Sequence, residues 1–137
     1  MAANFRVAAQ RTYRDAAYLE QHQRIANADH LYGLAAECAL KAILVGLRVI
    51  PPQGPPRKSP FREHIDKLWD QYSLYVSANG SVSYSLPITA NPFDAWRVDH
   101  RYEDDLLFTQ GRLTATAQGA REANRLLEQA ILDGAVA

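Results

Sequence analysis

The scarcity of several residue types sets the first limits on this chain. It has a single cysteine, Cys38, among 137 residues, so no disulfide can form within it and a reducing, cytoplasmic location is the default expectation. Neither sign of charge is in excess: Lys and Arg number 15, Asp and Glu 15, and the formal net charge is zero. A whole-molecule field that would draw in nucleic acid or anionic membrane is thereby excluded, leaving only local patches for such partners. The sequence has no glycine-rich phosphate loop, no G-x-S-x-G elbow and no Cys-His nucleophile pattern. Histidine pairs at i and i+4 and Glu-x-x-His pairs are also missing, so neither a metal nor a cofactor is expected. The opening MAANFRVAAQRTYRD carries arginines and no sustained apolar run, unlike an ordinary signal peptide. The most apolar stretch is interrupted by Asp29, Glu37, Lys41 and Arg48, which favours a buried helix over a membrane span.

What is present is helical periodicity. Asn27–Ile50 is apolar at nearly every position from Leu31 onward, and Asn27, His30, Glu37 and Lys41 recur at helical spacing, which predicts a core helix with one polar seam. Glu37 and Lys41 stand at i and i+4 with the acid first, the better order for a helical ion pair, and this seam needs a polar cover from elsewhere in the fold. Before it, Phe5, Ala8, Thr12, Ala16 and Leu19, widened by Tyr13 and Tyr18, predict an amphipathic helix over residues 4–22 that packs with the core helix as a hairpin. Pro51–Pro60 holds five of the seven prolines and ends the core helix as a stiff loop within one domain spanning residues 1–137. Ser59 and Pro60 form a helix start, and Ile65, Leu68, Trp69, Tyr72 and Tyr75 give a third helix to about Val76. Asn79-Gly80, with Val82, Tyr84 and Leu86 alternating against serines, predicts a short β-hairpin near residues 74–87. Leu113, Ala117, Ala120, Leu127 and Ile131 mark a last helix ending near Asp133 and Gly134. The expected fold class is all-α, an up-and-down bundle of four to five helices.

The densest cluster of chemistry-bearing side chains is NPFDAWRVDHRYEDD, Asn91–Asp105. One reading makes Arg97, His100 and Arg101 a phosphate-holding, proton-shuttling pocket against the seam, with Trp96, Tyr102, Glu103 and Asp104 contributing to binding and Trp96 able to stack on a base. The other has Arg101 pairing with Glu37 and Tyr102 filling the core. His30, on the seam, has the titration range of an acid or base, although a core histidine is the commoner role. His64 falls in the first turn of its helix, where a hydrogen bond into the loop is ordinary, and Trp69 falls on an apolar face.

The order of these features resembles the HEPN superfamily of small helical domains. The matching parts are AAECALKAIL with Glu37 and Lys41, the histidine of HIDKLW at His64, and the Arg101-Tyr102 pair before the last helix, spread over roughly Phe5 to Leu132. The resemblance implies a homodimer that binds RNA, a nucleotide or a partner protein, such as a nucleotidyltransferase, in a prokaryotic defence or toxin-antitoxin setting. In the RNA-cutting branches it implies metal-independent cleavage by an arginine and a histidine separated by four to six residues. This chain departs there: between Arg97 and His100 stand only Val98 and Asp99, while the pairs with the expected spacing, Arg24 with His30 and Arg57 with His64, lie elsewhere. Three expectations follow: a binding module, an endoribonuclease using Arg97, His100, Arg101 and His30, or a purely structural dimerisation domain.

Overall fold

The run of apolar residues through the second quarter of the chain does become the central helix. The computed structural model describes residues 3–79, 82–87 and 90–137. Helix α1, Phe5–Gln21, is capped by Asn4, whose side chain accepts from Val7 N. A tight reversal at Gln23, with φ of 62°, returns the chain antiparallel as α2, Ile25–Gly46. Helix α3, Ile65–Ala78, and helix α4, Gln110–Leu132, complete an all-helical bundle, with α2 packed against all three partners. Residues from every helix join one hydrophobic core. The N-terminal part of α4 lies beside that of α2, through Arg112 and Asp29, while Ala135 and Val136 close on Gly46, so the two helices run parallel.

The differences from the sequence-based boundaries have local causes. The central helix ends at Gly46, short of Ile50, because Arg48 adopts a left-handed φ of 62° and folds Ile50 back into the core ahead of the prolines. The serine cap and proline start at Ser59-Pro60 begin only a single 3-10 turn, Pro60–Arg62. Glu63 and His64 are extended, and α3 starts after them. Tyr18 is 61% exposed, its ring tilted against that of His22 rather than buried. Among the described residues there is no β-strand: Val82–Tyr84 coils into a 3-10 turn, and Gly80, the second residue of the expected turn, lies outside them. The coil is favoured over a two-stranded hairpin, marginal by itself, because it docks Tyr84 on the bundle. Tyr72 donates from its hydroxyl to Tyr84 O at 2.6 Å, and the Tyr84 hydroxyl donates to Asp133 at 2.7 Å. Tyr72→Phe leaves that buried carbonyl unmatched, and urea denaturation should show a loss of about 1–2 kcal/mol.

Two glycines inside helices position the site. A Cβ at Gly33 of α2 would fall 2.2 Å from Trp96 Nε1, and one at Gly119 of α4 would fall 2.5 Å from Pro92 and 2.7 Å from Phe93. Each glycine costs its helix about 1 kcal/mol relative to alanine. In exchange the helix surfaces carry notches that seat the ring of Trp96 and the Pro92-Phe93 pair, so the segment from Asn91 wedges between α2 and α4. Asn91 fixes its start, accepting from Phe93 N at 2.8 Å and donating to Asp66 O at 2.7 Å.

Candidate functional site

The seam of α2 carries two polar networks, joined by a stack of rings. The first begins at Asp29, fully buried, whose Oδ2 lies 3.3 Å from Arg112 Nε and accepts from the Thr116 hydroxyl at 3.3 Å. Burial pushes the Asp29 carboxyl above its ordinary value, the pull of Arg112 opposing it less strongly. Arg112 also reaches His100, its terminal nitrogen 2.8 Å from Nδ1, while Arg97 N stands 3.2 Å from the same atom. A guanidinium and a backbone amide can only donate, so His100 Nδ1 accepts from both and the ring proton resides on Nε2. Desolvation first, and then the Arg112 charge, hold this imidazole below its ordinary pKa. His100 in this state is a neutral hydrogen-bond donor whose basic lone pair is already engaged.

The second network begins at Glu37. Its Oε2 accepts from Lys41 Nζ at 3.1 Å, as the i and i+4 spacing predicts, and its Oε1 lies 3.0 Å from His64 Nδ1. With the carboxylate as acceptor, His64 Nδ1 carries a proton and donates it, on a side chain 51% exposed. The two histidines thus use Nδ1 in opposite senses, His100 accepting and His64 donating. Between the networks, His30 stacks on Trp96 with ring centroids 5.3 Å apart and 15° between planes, and His64 meets the same indole at 6.4 Å. Burial, then the charges of Arg101 and His100, keep His30 below its ordinary pKa. Asp29 Oδ1, His30 Nδ1 and Trp96 Nε1 are all buried without a hydrogen-bond partner, an unusual concentration of unmatched polar atoms for a core.

The structure rearranges the roles expected from the sequence. Arg101 does not pair with Glu37, whose two oxygens are taken by Lys41 and His64, and Tyr102 does not fill the core, being 77% exposed with the Arg101 guanidinium 4.9 Å above its ring. Trp96, 1% exposed, cannot stack on a base; the notch at Gly33 holds it as a wall between His30 and His64. Arg97 is braced, with NH1 3.4 Å from Asp66 and donating to the carbonyls of Asp94 and Trp96. Asp104 caps its own turn by accepting from Leu106 N, and Glu103 stays exposed beside it. Asn27 faces solvent and leaves the seam. Arg97, His100, Arg101 and His30 are nonetheless gathered around the 3-10 turn Val98–Tyr102, which packs on α2. Sequence reasoning named Asp29 without its partner and missed Arg112 and the partner of His64. The available signals were a carboxylate inside an apolar stretch and a glycine at mid-helix.

Among the described residues, no helix is long and apolar enough to cross a membrane, and no group of three or more His, Cys, Asp or Glu side chains is arranged to hold a metal ion. Cys38 is partly buried, its thiol pushed up to about 11 chiefly by desolvation. No protein-family model, curated protein or solved structure matches this chain.

Proposed function

We propose that this chain is a HEPN-like module that binds single-stranded RNA through the turn Val98–Tyr102, in a prokaryotic defence or toxin-antitoxin setting and as a homodimer. The observation that carries this reading is the exposed Arg101-Tyr102 pair beside His100. Among the described residues, no carboxylate lies within ion-pair distance of Arg101, so its charge is available to a phosphate. Tyr102 offers a ring face of the kind on which unpaired bases stack, and the Nε2–H of half-buried His100 is a further donor in the same turn. The exposed acids Asp99, Glu103, Asp104 and Asp105 of the same segment repel phosphate, which confines the patch to Arg101 and Tyr102. Because net charge is zero, affinity in this reading comes from this patch alone.

Fluorescence anisotropy with a labelled RNA oligomer across a salt series tests it. Binding should weaken as salt rises, and Arg101→Ala should lower affinity while flattening the log–log salt slope by about 0.7, the value for one lost single-strand phosphate contact. Tyr102→Ala should weaken binding by about 1–2 kcal/mol with the slope unchanged, since stacking releases no counterions. Affinity that ignores salt, or that survives both changes, contradicts the reading.

A further inference from the structure

Where α1 begins, α2 ends and the chain leaves α4, a cleft of about 870 Å³ lies between them. Its distance from the turn Val98–Tyr102 follows from α2, which rises roughly 24 Å from His30 to Gly46. The volume is that of a small-molecule site. Buried Ala42, Ile50 and Val136 form the floor, and half-buried Phe5 and Val45 form the walls. Of the side chains lining the cleft only two are charged, Arg6 and Arg48, and both are positive. Among the described residues, no carboxylate lies within ion-pair distance of either. Arg48 also holds a left-handed φ of 62°, a conformation that strains a residue with a side chain and suits glycine. Glycine fills two other left-handed positions at this end, Gly54 against the Phe5 ring and Gly134 after α4, yet position 48 is an arginine. The turn itself makes no use of that side chain. Leu47 N, Arg48 N and Val49 N donate to Ile43 O, Val45 O and Leu44 O, so main chain alone satisfies the end of α2.

We infer that this cleft binds a straight-chain alkyl carboxylate of medium length, with its tail on the apolar floor and its charge facing Arg6 and Arg48. A guanidinium matches a carboxylate through two parallel hydrogen bonds, which fixes the head of such a ligand as well as attracting it. Bare phosphate would leave the apolar floor uncovered, and a neutral hydrocarbon would leave both cations unused. An amphiphile with one negative end answers both features at once. Tail burial supplies most of the affinity, which should rise about fourfold with each methylene that enters the cleft. The site is separate from the RNA-binding turn, so the two readings stand or fall independently.

The test is calorimetric titration of the full chain with octanoate, decanoate and dodecanoate, each kept below its micelle-forming concentration, read beside nitrogen–proton correlation spectra that locate the bound tail. Affinity should climb along the series, and decanoate should shift the amides of Ala42, Val45 and Val136. Decylammonium, with the same tail and the opposite charge, should bind at least about tenfold more weakly, as should uncharged decanol, and acetate should not bind. Arg48→Gly removes the cation and relieves the left-handed backbone, so this variant should resist urea at least as well as the wild type while its decanoate affinity falls about tenfold. Val45→Glu sets a carboxylate in the wall and should abolish binding; should it fail to fold, Arg48→Gly decides the matter. An affinity indifferent to tail length, decylammonium or decanol equalling decanoate, or undiminished binding by Arg48→Gly overturns the inference. So does an absence of any decanoate binding. Shifts at the cleft that follow protein concentration and ignore decanoate assign the cleft to a second copy of the chain, which overturns it as well.

Discussion

Arg112→Met should cost about 3 kcal/mol of stability at neutral pH, the low end of the range for removing one partner of a buried ion pair. The methionine keeps most of the stem packing but leaves Asp29, fully buried, with only the Thr116 hydroxyl for company. The deficit should depend on pH in a definite direction. The Asp29 carboxyl in the native protein already sits above its ordinary value of 3.8, because burial outweighs the pull of Arg112. The native state therefore holds this proton to higher pH than the unfolded chain does. The stability contributed by the residue is complete below that ordinary value and is lost as pH rises through the native one. Without Arg112 the native value climbs further, so the loss grows over a wider pH window. Urea denaturation of both proteins from acid to neutral pH should show curves that converge at the acid end, where Asp29 is neutral in each, and separate toward neutrality. The same change should raise the His100 pKa toward its ordinary value, since one of the two largest influences holding it down is the Arg112 charge. A deficit that is equal at every pH would mean that Arg112 matters only for packing.

Trp96→Ala should cost about 3–5 kcal/mol, as for any fully enclosed indole removed from a core. The sharper result comes from its partner. Gly33→Ala alone should destabilise by about 2 kcal/mol, because the new methyl meets the indole nitrogen and the ring, pinned in the core, cannot yield. In the Trp96→Ala background the three atoms nearest that methyl are gone, and the same glycine change should stabilise by up to about 1 kcal/mol through helix propensity. A coupling of this size and sign reports direct contact. Additive effects would place the wedge segment elsewhere.

How much was legible in the sequence depended on whether a feature was periodic or paired. The three-and-four spacing of apolar residues located all four helices and Asp133-Gly134 marked the end of the last, while Ser59-Pro60 started only the 3-10 turn ahead of α3. Alternation of Val82, Tyr84 and Leu86 did not become a strand, since no neighbouring strand exists among the described residues to reward it and Tyr84 gains two hydrogen bonds as a turn. The seam was legible at Glu37 and Lys41, which lie one turn apart. Its covers were not: His64 and Arg112 arrive from α3 and α4, and nothing local in sequence links His64 to Glu37 or Arg112 to Asp29. The aromatic residues were exchanged for a related reason. Trp96 reads as a loop residue free to stack until Gly33 is seen as its socket, and Tyr102 reads as core until the turn carries it outward.

The division of labour between two histidines is the centre of this account, and the nitrogen spectrum of the imidazoles reads it directly. Long-range nitrogen–proton correlation on uniformly labelled protein, above the pH at which the rings titrate, assigns the protonated nitrogen of each histidine. The account predicts the proton on Nε2 of His100 and on Nδ1 of His64, with Arg112→Met altering the first pattern and Glu37→Gln the second. Finding both rings protonated on Nε2, or His64 unresponsive to Glu37→Gln, would contradict it.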